Sequence, residues 1–278
     1  ISLNNAQKSK TSVSKFAKKT STESKNDSLP DLANYEIPSN GEKLRYYIQA
    51  RKLLLNNESA ALDLLLRWEM KYAKNSRKFL RAEIYNDIME IYIGRGDDTK
   101  TSLYLSKVIR EQDSATTCRA MTLAFEYYIR EGKVNDARSV LGSLESLASR
   151  RKEADVKVDT LINRMRAVIA CEDGEYEKAI RIAESPECDV YENGQLLDAY
   201  LISLAMLKKT NKVEGVVSEY EKFAVGWTDA DAKRVLGTIY SRLGSRLRKK
   251  GKDDIANYYL EKSAKFFDEG KHTIAAIA

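Results

Sequence analysis

Gly174-Glu175-Tyr176-Glu177-Lys178-Ala179 lies between two segments whose apolar residues return at i, i+3, i+4 and i+7, the period of an amphipathic helix. Glycine enters the left-handed conformation that ends a helix without a Cβ clash, so Gly174 reads as the stop of one helix and Tyr176 as the start of the next. The signature returns on both sides. Gly132-Lys133-Val134-Asn135-Asp136-Ala137 precedes it, Gly251 follows it, and with Asn56, Gly96 and Asn211 these make six turns at intervals of 36 to 42 residues. Five places after each turn stand Ala61, Thr101, Ala137, Ala179, Val216 and Ala256, and four further on Leu65, Leu105, Leu141, Ala183, Tyr220 and Leu260. Four places before each turn stand Lys52, Tyr92, Tyr128, Ala170, Leu207 and Leu247, and eleven before stand Tyr85, Met121, Tyr200 and Tyr240 in the second, third, fifth and sixth units. A fixed small residue opposite a fixed large one is what two antiparallel helices need to approach and interlock. The spacing predicts an all-α body of about six helix pairs over residues 43–270 and a short tail over 271–278, and the sparse apolar residues of 1–42 predict a disordered Lys/Ser/Thr-rich lead or linker.

This pattern resembles the tetratricopeptide repeat, in which a large aromatic, then Leu-Gly, then Tyr lie on the first helix and Gly-x-Tyr-x-x-Ala opens the second. Residues 174–179 fit the second element, and Tyr240, Leu243, Gly244, Leu247, Gly251, Ala256 and Leu260 run in register in the last unit. The likeness covers residues 44–270, although the spacing exceeds the family's usual value of about 34 and calls for longer helices or turns. HEAT-like repeats, with periods of about 40 to 47, are the structural rival, and the Gly-x-Tyr/Val-x-x-Ala turns argue against them. The resemblance implies a right-handed α-solenoid that holds a protein or peptide partner on the concave face formed by its first helices. Members of the family that grip a peptide carboxylate do so with Lys and Asn at set first-helix positions. The equivalent places here hold Asn86 and Glu90, Thr122 and Glu126, Arg164 and Val168, Leu201 and Ala205, Ser241 and Ser245. That clamp is absent, which argues against an adaptor for heat-shock chaperone tails. Asn86, Glu90, Glu126 and Arg164 remain as polar candidates for contact with a partner.

Composition excludes most catalytic readings. The 278 residues include one His, His272, so there is no second imidazole for a His-based metal site. Cys118, Cys171 and Cys188 match no CxxC spacing and read as buried or incidental thiols, a lean toward a reducing, cytoplasmic compartment. No GxSxG, Walker, HExxH or GxGxxG motif is present, and no catalytic residue, metal or cofactor is expected. Only 3 Pro agree with long uninterrupted helices, and no apolar run approaches the roughly 20 residues that span a bilayer. Arg95-Gly96-Asp97 occupies an inter-helix turn, which accounts for it without adhesion. Ile at position 1 leaves room for a signal or anchor removed ahead of it, which would make the chain membrane-anchored or periplasmic.

The formal charge of +6 has to be located before it is interpreted. Residues 1–25 carry Lys8, Lys10, Lys15, Lys18, Lys19 and Lys25 against Glu23 alone, a basic lead able to lie on an anionic membrane or to serve as a plain linker. From Cys171 to Asp198 the chain is strongly acidic, with Glu172, Asp173, Glu175, Glu187 and Asp189 as the candidate patch. From Lys233 to Lys252 it is basic without a single acid, with Arg242, Arg246, Arg248 and Lys249 as candidate partner contacts. Opposed fields of this kind steer a charged partner or a second copy of the chain. Few aromatics interleave the basic stretch, so nucleic acid is not the expected ligand. These features add up to a non-enzymatic scaffold or adaptor that binds a peptide or protein segment in a helical groove and helps to assemble or localise a complex. The alternatives are a peptide-responsive regulator like bacterial quorum receptors, lacking its DNA-binding region, or a tethered secretion, pilus or flagellar assembly factor.

Overall fold

The computed structural model describes residues 41–112, 114–150, 156–191, 193–222 and 228–277. The lead, up to residue 40, lies outside the described residues. Twelve α-helices occupy them, with no strand among them. In chain order they are α1 (Glu42–Leu53), α2 (Glu58–Tyr72), α3 (Lys78–Arg95), α4 (Asp98–Glu111), α5 (Ser114–Arg130), α6 (Val134–Ser149), α7 (Val156–Glu172), α8 (Tyr176–Ala183), α9 (Gly194–Met206), α10 (Thr210–Lys222), α11 (Asp229–Lys249) and α12 (Asp253–Ile277). Backbone contacts divide the chain into two units at Leu64/Leu65, inside α2. The first unit holds α1 and the start of α2 and buries Ala50, Ala60, Ala61, Leu62 and Leu64.

The predicted turns explain four of the helix ends in the second unit. Gly96, Gly132, Gly174 and Gly251 have φ of 69°, 73°, 82° and 70°, the left-handed conformation that a Cβ disfavours. Past each, a backbone N–H reaches back across the last turn: Asp97 to Tyr92 O, Lys133 to Tyr128 O, Glu175 to Ala170 O and Lys252 to Leu247 O, at 2.8 to 3.0 Å. These bonds satisfy carbonyls that the helix end would otherwise leave open. Side chains cap some helices at their starts: after Gly96, Asp97 accepts from Lys100 N at 3.0 Å, and Asn193 opens α9 by accepting from Gln195 N and Leu196 N.

Two of the six expected turns are built differently. Asn56 does not take a positive φ; Asn57 instead caps α2 by accepting from Ala60 N at 3.0 Å. In the fifth unit the left-handed residue is Lys208, φ 57°, three places before Asn211, and Asn211 lies inside α10. Lys209 N accordingly bonds Leu204 O at 2.9 Å. The true small-residue position of that unit is Val213, fully buried, and the position four later is Val217, 2% exposed, where the turn spacing had pointed to Val216 and the partly exposed Tyr220.

Within the second unit each odd-numbered helix from α3 packs on its successor, and each even-numbered helix from α4 to α10 packs on the odd-numbered helix that follows. Odd helices also meet one another, α3 with α5, α7 with α9 and α9 with α11. The small residues at the turn-plus-five positions, Thr101, Ala137, Ala179 and Ala256, are at most 1% exposed, which is what lets the pairs close. A close approach joins α11 to α12: a Cβ added at Gly244 would lie 2.6 Å from Leu260 Cγ and 3.0 Å from Ala256 O. Nearby, Tyr240 stacks on Tyr259 and Phe266 at 6.0 and 5.6 Å between ring centroids.

A recurring polar staple crosses the helix seams. Glu69 accepts from Tyr104 Oη at 2.8 Å and Lys107 Nζ at 2.5 Å. Asp98 accepts from Tyr127 and Lys133, Glu184 from Tyr200 and Lys212, and Glu214 from Tyr258 and Lys262. The Lys133 ammonium and Tyr127 hydroxyl hold the Asp98 carboxyl below its usual range, and Lys262 and Tyr258 do the same for Glu214. At Glu184 burial works the other way, and Lys212 and Tyr200 outweigh it.

Candidate functional site

Three helices line one polar groove. Glu126 and Arg130 of α5, Gln195 and Asp198 of α9, and Ser241, Arg242, Ser245, Arg246 and Lys249 of α11 line a space of about 380 Å³. Four cationic and two carboxylate side chains face it, and no aromatic does. Four-residue steps along α11 put Ser241, Ser245 and Lys249 on one stripe, with Arg242 and Arg246 beside it.

Asp198 anchors the wall. Its side chain is 8% exposed, and it accepts from the Arg242 guanidinium, whose other contact is the Gly194 carbonyl at 3.3 Å. Burial pushes the Asp198 carboxyl above its usual range despite Arg242 and Arg246. Glu126 is raised for the same reason, with Arg130 opposing, and no described residue donates a hydrogen bond to its carboxylate. The Gln195 amide fixes α9 against α5 by donating to the Glu126 carbonyl at 3.1 Å. Arg130 leans over the Tyr127 ring at 5.6 Å and pairs with exposed Glu131 at 3.3 Å.

The sequence candidates separate on this frame. Glu126, Arg242, Arg246 and Lys249 line the groove. Arg164 lies beside it, in a narrow crevice that also touches Glu126 and Gln195. Asn86 and Glu90 are elsewhere, on α3; Asn86 is fully buried and donates to Glu90 at 2.6 Å, while its own Oδ1 has no partner among the described residues. Arg248 points to α12, donating to Asn257 at 2.7 Å and lying 3.9 Å from Asp253.

The acidic and basic stretches meet within the molecule. Glu172 accepts from Lys250 at 2.9 Å and lies 3.9 Å from Arg246, just as Asp198 takes Arg242. The remaining acids scatter: Asp173 takes a bidentate pair from Arg138 at 2.7 and 3.1 Å, Glu175 takes Lys178, Asp189 accepts from Tyr191 N, and Glu187 is exposed after α8. Tyr85, Tyr200 and Tyr240, which recur eleven places before their turns, are at most 7% exposed and belong to the core.

Arg130, Gln195, Asp198, Ser241 and Ser245 are the groove residues that sequence reasoning did not choose. The pairing of Asp198 with Arg242, 44 residues on, carried a readable signal, an acid and a base about one repeat apart. The same holds for Glu83 with Arg119 and Arg138 with Asp173, 36 and 35 apart. No group of His, Cys, Asp and Glu among the described residues could hold a metal ion. Burial pushes the Cys171 thiol up to about 11, which makes it an inert core residue. No described helix is long and apolar enough to cross a membrane. No protein-family model matches the chain, and no curated protein matches it.

Proposed function

We propose that this protein is a non-enzymatic interaction scaffold, a tetratricopeptide-like right-handed solenoid whose first-helix groove holds a peptide or protein segment and so helps to assemble or localise a larger complex. The observation that carries the reading is the α5–α9–α11 groove, which gathers its polar side chains from the first helices of three helix pairs. The alternating contacts of odd- and even-numbered helices and the buried small residues after each glycine turn support the repeat architecture. Its mechanism is complementarity of shape and hydrogen bonding along a preformed surface, so little ordering cost falls on the scaffold when the partner arrives.

A random peptide library panned against the whole chain tests this. Peptides selected on the wild type should lose binding to Ser245→Trp, which fills the groove from an exposed position while leaving the packed side of α11 untouched. Peptides that bind that variant as well as the wild type would overturn the reading.

A further inference from the structure

Hydrogen-bonding capacity along the groove is unevenly used, and the imbalance selects a class of occupant. Ser241, Ser245 and Lys249 follow one another at steps of about 6 Å along α11. None of the three makes a side-chain hydrogen bond or ion pair with a described residue. Arg246 has its nearest carboxylate, Glu172, at 3.9 Å, and Arg130 across the groove leans over the Tyr127 ring and pairs with Glu131, its exposed neighbour in sequence. Three cationic heads thus border the space with capacity to spare. The Glu126 carboxylate is the charged acceptor left open among the lining residues, because Asp198 is already taken by Arg242.

A partner that fits must bring carboxylates for the cations and at least one N–H donor for Glu126. An extended acidic peptide offers both, since its backbone alternates N–H and C=O groups. A DNA backbone carries acceptors only and would set its phosphates against Glu126, and the groove has no aromatic wall on which bases could stack. We propose that the α5–α9–α11 groove binds an extended acidic peptide segment, with its carboxylates on Arg130, Arg246 and Lys249 and its backbone on Ser241, Ser245 and Glu126. The inference rests on the groove reading given above and adds the chemistry of the occupant.

Fluorescence anisotropy with labelled peptides of about eight residues, alternating Ala with Glu, Gln or Lys, and with a dT oligonucleotide of equal length, tests it on the full chain. The Glu peptide should bind at least about tenfold tighter than the Gln peptide, with affinity falling as salt rises. Lys249→Glu and Arg130→Glu should each weaken the Glu peptide about tenfold. Both sites are exposed, so circular dichroism should show unchanged helicity. Equal binding of Glu and Gln peptides, both lost in Ser245→Trp, overturns the acidic occupant and leaves the groove reading standing. Glu-peptide binding that survives Ser245→Trp overturns both. Tighter binding of the oligonucleotide, or no binding of the Glu peptide to the wild type, overturns the acidic-peptide inference alone.

Discussion

Helix α11 has two faces that obey different rules. Toward α12 it shows Gly237, Tyr240 and Gly244, and there volume decides: Cβ atoms at the two glycines would come within 3.1 Å of Phe267 and 2.6 Å of Leu260. Ser263 closes the seam by donating to the Gly237 carbonyl at 2.7 Å, in a buried position. Toward the groove the same helix shows Ser241, Arg242, Ser245, Arg246 and Lys249, where Arg242 is bonded to Asp198 and part of the polar capacity is unused. A face closed to one neighbour tolerates almost no change of shape, whereas a face open to a ligand tolerates shape and is sensitive to charge.

The strongest way to break this comparison is Gly244→Ala. The added methyl has no room against Leu260 and the Ala256 carbonyl, and we expect a loss of about 3 kcal/mol in urea unfolding. Gly142→Ala in α6, where an added Cβ meets nothing within 4 Å, should instead stabilise by about 0.5 to 1 kcal/mol. If both changes cost the same, close packing is not what distinguishes the first face.

Next in size is Arg242→Ala, which belongs to the groove face but removes the partner of a buried carboxylate. Leaving Asp198 uncompensated should cost about 2 kcal/mol, below the value for a fully buried pair because Arg242 itself is half exposed. The double change with Asp198→Asn should recover most of that loss, and a failure to recover would place the effect elsewhere.

Removing one hydroxyl from a seam staple comes third. Tyr104→Phe leaves the ring in place and takes one of two donors from Glu69, for an expected cost of about 1 kcal/mol.

The smallest effect sharpens the contrast by its sign. Glu214, held below the usual carboxylate range, binds fewer protons when folded, so its stabilisation is present above the unfolded pKa and is lost as pH falls through the folded one. Glu126 is raised, so it favours the folded state below the unfolded pKa and loses that contribution as pH rises through the folded value. Denaturation measured from about pH 3 to 7 should therefore show a shallower acid decline in Glu214→Gln and a steeper one in Glu126→Gln. Shifts of equal sign would mean that the groove and seam carboxylates are not in opposite environments.

Much of the helical body was legible from glycine positions alone, since Gly96, Gly132, Gly174 and Gly251 all end helices in the left-handed conformation. The register failed where a different residue took that conformation. Lys208 pays its Cβ penalty in the fifth turn, and without a glycine to mark it the alignment settled on Asn211. The groove was half legible: Arg242, Arg246 and Lys249 stood out as charges, while Ser241 and Ser245 carry no distinguishing composition. Arg130 is a last-turn cation of α5, a place where the helix dipole favours any positive side chain, so its position marks no site.

By itself the sequence determined that the described chain is helical, where four of its turns fall, and that its charge is segregated into acidic and basic stretches. Those properties are local, set by backbone conformational preference and by residue type over short windows. Only the tertiary structure decided that Glu172 and Asp198 face Lys250, Arg246 and Arg242, so that stretches which look like free patches in one dimension neutralise each other in part. It also decided which cations keep capacity for a ligand. Coulomb energy and desolvation depend on distance and burial, and both are fixed only when helices far apart in the chain have packed.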